Sequence, residues 1–146
     1  MGKRRRAREA AIQYHFWRDL QRGETPERID DFWDFCPVKQ NVREFAQPLI
    51  EGMISHLPEI DEQIKKYCEN YNLNRISAVD RSVLRLAIYE MLYRDDIPPV
   101  VSINEAIELA KTFGGAESGG FVNGILDRVR KDLDRPAREA VTKRES

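Results

Sequence analysis

The sequence predicts an all-α domain of about seven helices, arranged as two small bundles that share one buried helix at 78–94. Three observations carry this prediction. Apolar residues recur at helical spacing in every long segment, and only Pro99-Val100-Val101-Ser102 reads as locally extended. Glycine, proline and capping residues punctuate the chain at helix-length intervals. With 146 residues, 41% of them hydrophobic, the chain suits one domain with a real core and is too short for a catalytic domain beside a binding one.

From Arg4 to about Gln21, the residues Ala7, Ala10, Ala11, Tyr14 and Trp17 trace one helix face, and Gly23 ends the helix. Thr25 caps and Pro26 opens a short acidic helix that stops near Cys36-Pro37. A third helix runs from about Val38 to His56 with Val42, Phe45, Leu49, Met53 and Leu57 inward. Pro48 removes a backbone donor within it and is expected to kink or split it. After Leu57-Pro58, the residues Ile60, Ile64, Tyr67, Cys68 and Tyr71 line a helix ending near 70–74. Ser77-x-x-Asp80 has the shape of a capping box and opens the most apolar helix, which leaves only Arg81, Arg85 and Tyr89 as a polar stripe. This helix is therefore expected at the centre. Asp95 to Pro99 reads as a turn, and Ser102-x-x-Glu105 as a second capping box before Ile103, Ala106, Ile107 and Ala110. Gly114-Gly115 closes that helix, and residues 114–120 read as a loop into a last helix bearing Val122, Ile125, Val129 and Leu133. The helical domain spans 1–134, and 135–146 form a charged tail expected to fray.

Catalysis lacks ingredients. His15 and His56 stand far apart, no Cys or His falls at a metal-ligand spacing, and no nucleophile is paired with a base. The glycine-rich segment 114–120 has no G-K-[ST] ending and follows a helix, so it is not a phosphate loop of the usual kind. Asp30-Asp31 and Asp95-Asp96 suit solvated positions. No metal and no cofactor is expected. Cys36 and Cys68 read as reduced thiols. No apolar run approaches a spanning length and no secretory segment is evident, so no membrane is involved and a cytoplasmic location is expected.

The net charge of −1 conceals an uneven distribution. Residues 1–22 carry seven cations against two carboxylates, whereas 24–34 carry one against five. Lys3, Arg4, Arg5, Arg6 and Arg8 crowd a helix N-terminus, where the macrodipole disfavours cations. A polyanion would relieve that repulsion, because guanidinium groups fork onto phosphates and stack on unpaired bases. A solvated, frayed basic end explains the same composition without a ligand.

Four ordered motifs are more specific: Arg5-Arg6-Ala7-Arg8-Glu9-Ala10-Ala11, the stretch from Ser77 through Asp80 to Glu90, the stretch from Ile103 to Lys111, and Phe121-Val122-Asn123-Gly124-Ile125-Leu126-Asp127. Together they resemble the NusB family of bacterial transcription antitermination factors over roughly residues 4–133, with 23–72 the least diagnostic part. The resemblance implies a helical, non-catalytic protein that pairs with NusE, a small-subunit ribosomal protein. The pair would bind single-stranded boxA of nascent ribosomal RNA in an antitermination complex on RNA polymerase. It assigns RNA contacts to Lys3, Arg4, Arg5, Arg6 and Arg8, and to Glu117, Ser118, Gly119, Gly120 and Phe121 before the last helix. The Phe121 ring could stack on a base; by residue type alone such a phenylalanine is more often core, and the resemblance makes the two roles even. Asp80 falls on the NusE-facing acidic surface, a role compatible with capping.

The chain also departs from the family pattern. Gly120 stands where many relatives carry a basic residue, and Tyr14-His15-Phe16-Trp17-Arg18 is altered. Gly124 within the last helix costs about 1 kcal/mol relative to alanine and suggests close helix contact. Two other readings stay open: a protein-interaction scaffold or self-associating homodimer, and a DNA-binding regulator using Arg81, Arg85 and Tyr89, whose helix is too buried for a major groove. A methyltransferase bearing such a domain does not fit this length.

Overall fold

The computed structural model describes residues 2–20, 29–68 and 75–133. Among them the chain forms seven helices and no strand: α1 (Lys3–Leu20), α2 (Ile29–Phe35), α3 (Gln40–Ser55), α4 (Leu57–Tyr67), α5 (Ala78–Tyr93), α6 (Pro99–Gly114) and α7 (Ala116–Lys131). The helix stop at Gly23, the start at Thr25-Pro26, Tyr71 and the tail 135–146 lie outside the described residues.

Helix α5 is the shared element. It packs with α1 and α3 on one side and with α4, α6 and α7 on the other, which makes two bundles around one rod. Residues 82–91 are buried without interruption, because α5 has neighbours on nearly every face. Its arginines are consequently paired inside the protein. Arg85 donates to both oxygens of Asp61 at 2.8 and 3.0 Å and to Asp19 at 3.4 Å. Arg81 binds Asp19 and the Ile76 carbonyl. The two arginines of the expected stripe are thus struts to α1 and α4, and Tyr89 is buried and stacks with His56 and Tyr93, so the stripe presents no free reading face.

Helix α3 runs unbroken through Pro48, which is exposed, so the proline does not split it. Tertiary packing of Val42, Ala46, Leu49, Ile50 and Met53 outweighs the lost backbone bond. Four residues on, Gly52 lets α3 meet α5: a Cβ there would collide with the Tyr89 hydroxyl.

Two expected boundaries move. Helix α6 begins at Pro99, not at Ser102, and its N-cap is Pro98 in extended backbone. A proline preset for the first helical turn accounts for this start. Ser102 is therefore buried in the second turn and caps nothing; its hydroxyl donates to Glu90 at 2.7 Å. The stretch Pro99 to Ser102 is helical, not extended. Likewise, the loop expected over 114–120 contracts to Gly115, whose φ of 92° is the left-handed geometry that favours glycine. Helix α7 starts at Ala116 in spite of its glycines, because Val122, Ile125, Leu126 and Val129 anchor it on the core. Gly124 makes no close helix contact: a Cβ there would meet nothing within 4 Å.

Candidate nucleic-acid interface

Helix α1 seats itself through small side chains. Ala7, Ala10 and Ala11 are fully buried and let α1 lie against α3 and α5. That seating determines where each cation of the first two turns points, since successive side chains rotate by about 100°.

The five cations separate into two groups. Arg8 is 3% exposed, and its guanidinium forks onto Glu90 of α5 at 2.8 and 3.0 Å. Glu90 also accepts from Ser102, so α1, α5 and α6 meet at one buried carboxylate. Arg5 forks onto Glu105 of α6 at 3.0 and 2.5 Å. The bond from Arg5 holds the Glu105 carboxyl below its ordinary range and raises the guanidinium in turn. Arg8, to which the resemblance assigns an RNA contact, is engaged in the interior, because Glu90 is buried and demands a partner. Lys3 and Arg4 are exposed and Arg6 is half-exposed.

A cation–aromatic cluster adjoins this end of α1. The guanidinium carbons of Arg4, Arg94 and Arg8 lie 5.0, 5.5 and 5.7 Å from the centre of the Phe45 ring. Arg94 also forks onto Asp96 at 3.0 Å, and that bond lowers the Asp96 carboxyl. Sequence reasoning placed Phe45 inward, yet it is half-buried under cations. Its proximity to the arginine-rich end has no local signal, because Arg94 and Arg4 come from distant parts of the chain.

The other predicted patch lies on the first turns of α7. Glu117 and Gly120 are exposed, and the Ser118 hydroxyl donates to the Gly114 carbonyl at 3.2 Å. Gly119 is buried beside the Lys111 side chain. Phe121 is half-buried and packs against the core, so its ring is divided between the two roles read from sequence. Asp80 sits in the first turn of α5, where its N–H donates to Ser77 Oγ at 3.1 Å. Its Oδ1 is buried without a hydrogen-bond partner among the described residues.

One further titratable group lies inside. His15 is buried between α1 and α3, and burial pushes its imidazole down to about 3. A hydrogen bond with the Ile50 backbone opposes that shift, while Nε2 has no partner. The imidazole is neutral at physiological pH.

A helical domain built around one buried rod, with an arginine-rich first helix tied to α5 and α6, matches the model of the NusB family over residues 5–131. The chain belongs to the NusB family. It is 45% identical to the transcription antitermination protein NusB of Myxococcus xanthus over 141 residues, covering 93% of this chain and all of that relative. The solved NusB of T. maritima has a TM-score of 0.80 at 44% identity and covers 92% of each chain. A NusB-like chain in a crystal structure of antitermination factors NusB and NusE with dsRNA has a TM-score of 0.80 at 28% identity, covering 90% of this chain and 98% of that one. Among the described residues of this NusB-family chain, no His, Cys, Asp and Glu cluster could hold a metal, and no helix is long and apolar enough to cross a membrane.

Proposed function

We propose that this chain is a non-enzymatic, RNA-binding transcription antitermination factor that pairs with NusE and takes single-stranded boxA of nascent ribosomal RNA in the cytoplasm, as part of an antitermination complex on RNA polymerase. The observation that carries the reading is the division of the arginine-rich end. Arg5 and Arg8 pin α1 through Glu105 and Glu90, and the rigid helix then presents Lys3, Arg4 and Arg6 outward at its N-terminus. Cations held there without a forked carboxylate partner among the described residues suit a phosphate backbone. The similarity to a chain solved with NusE and dsRNA supports the same assignment. Phe121 stacks on an unpaired base beside Glu117, Ser118 and Gly120, and Asp80 faces NusE.

The test is capture of NusE by this chain with and without boxA RNA, followed by RNA titrations at several salt concentrations. Three phosphate contacts give a log-log salt slope of about −2 for a single strand. A slope near zero would overturn the RNA assignment. The alternative of a protein-interaction scaffold or homodimer draws on a different feature, an apolar cleft of about 560 Å³ lined by Gln13, Trp17, Phe32, Phe35 and Cys36, with Phe35 82% exposed. Dimerisation in sedimentation experiments, with no RNA binding, would favour it.

A further inference from the structure

Lys3 and Arg6 stand one turn apart on α1 and turn away from the carboxylates that hold Arg5 and Arg8. They line a cleft of about 460 Å³ together with Lys39 and Asn41 at the start of α3, over Val38 and Val42. The lining residues carry three cations and no carboxylate. Arg6 has a loose contact with Glu9 at 3.7 Å and donates to Cys36 Sγ at 3.6 Å. Lys3 and Lys39 are exposed and make no ion pair among the described residues. Both helices that border the cleft also begin there. Neither has an acidic residue in its first turn, and Lys39, the N-cap of α3, supplies no side-chain cap. Three positive side chains and two positive helix ends therefore share one concavity, and among the described residues only the loose Arg6–Glu9 contact offsets their repulsion, so an entering anion would relieve it.

We infer that this cleft is a phosphate site on the RNA path: Lys3, Arg6 and Lys39 hold one backbone phosphate, Asn41 donates to it, and the ribose rests on the valine floor. The inference deepens the RNA-binding reading above and rests on it. It carries the strand from the end of α1 across the start of α3, on a side of α1 that the arginine-rich motif alone does not indicate. A phosphodiester suits the site because it presents several acceptor oxygens to donors of different reach, with an apolar group attached.

The experiment titrates labelled single-stranded boxA RNA with the full chain and NusE between 50 and 300 mM salt, comparing wild type with Lys39→Gln. Lys65→Gln, an exposed lysine on α4, serves as the control. Loss of one phosphate contact reduces the salt slope by about 0.7 and weakens binding about fivefold at 0.1 M salt. Lys65→Gln leaves both unchanged. Wild-type affinity and slope in Lys39→Gln, with loss in Lys3→Gln and Arg4→Gln, would overturn the cleft while leaving the RNA reading intact. Salt-independent or absent binding by the wild type would overturn the RNA reading and the cleft with it. If Lys39→Gln also lowers the melting temperature, Lys39→Arg decides: restored affinity supports the phosphate site, and unrestored affinity overturns it.

Discussion

The first two turns of α1 hold two groups of cations that composition cannot distinguish. Arg5 and Arg8 meet carboxylates on α6 and α5, and Arg8 is wholly enclosed. Lys3, Arg4 and Arg6 lie one or two positions away and face outward or half outward. The difference teaches that a run of arginines does two jobs in one helix. Residues on the packed face orient the helix, and their neighbours offer charge to a ligand. A buried cation is tolerated only with a geometrically good partner, and Glu90 supplies one.

The sharpest way to break this comparison is Arg8→Ala. It leaves Glu90 buried without its fork and is expected to destabilise the fold by about 3–5 kcal/mol in urea denaturation. Arg4→Ala is expected to change stability by no more than about 0.5 kcal/mol. The double substitution Arg8→Met with Glu90→Leu should recover most of the loss, since removing both charges removes the unpaired one. Equal stability of Arg8→Ala and Arg4→Ala would dissolve the distinction between the groups.

The same contrast extends to Phe121, whose ring is divided between core and surface. Phe121→Ala is expected to weaken RNA binding by up to about 3 kcal/mol if the exposed part stacks on a base, and to leave NusE binding intact. A fall in melting temperature with RNA affinity preserved assigns the ring to the core alone.

His15 tests how completely the interior excludes unpaired charge. Its imidazole is held at about 3 in the fold against 6.5 when exposed, so the unfolded chain binds the extra proton first. Stability is therefore full above pH 6.5 and is lost as pH falls toward 3, by about 2 kcal/mol at pH 5. Glu105 and Asp96, whose carboxyls are lowered by Arg5 and Arg94, lose their contributions only below the ordinary carboxylate range. Replacing His15 by Gln should flatten stability between pH 7 and 5; an unchanged pH dependence would show that another group controls it.

The smallest effect belongs to the open face of α7. Gly124→Ala is expected to stabilise the protein by about 1 kcal/mol, because the added methyl meets open space and the helix gains propensity. A destabilised variant in thermal melts would show that this face is covered in the working protein.

Local chemistry in the sequence determined the helical class, the central place of α5 and the residue types at the α1 end, since each rests on spacing within one segment. An apolar run that covers most of a helix circumference forces that helix inside, as residues 82–91 show. Family membership was legible for the same reason, in motifs that are contiguous. Only the tertiary structure decided which cations stay outward, because the Arg8 partner is 82 residues away and the Arg5 partner 100. It also decided that α6 starts at Pro99 and α7 at Ala116. Capping and glycine signals there compete at the level of about 1 kcal/mol, and burial of the apolar faces of α6 and α7 outweighs them.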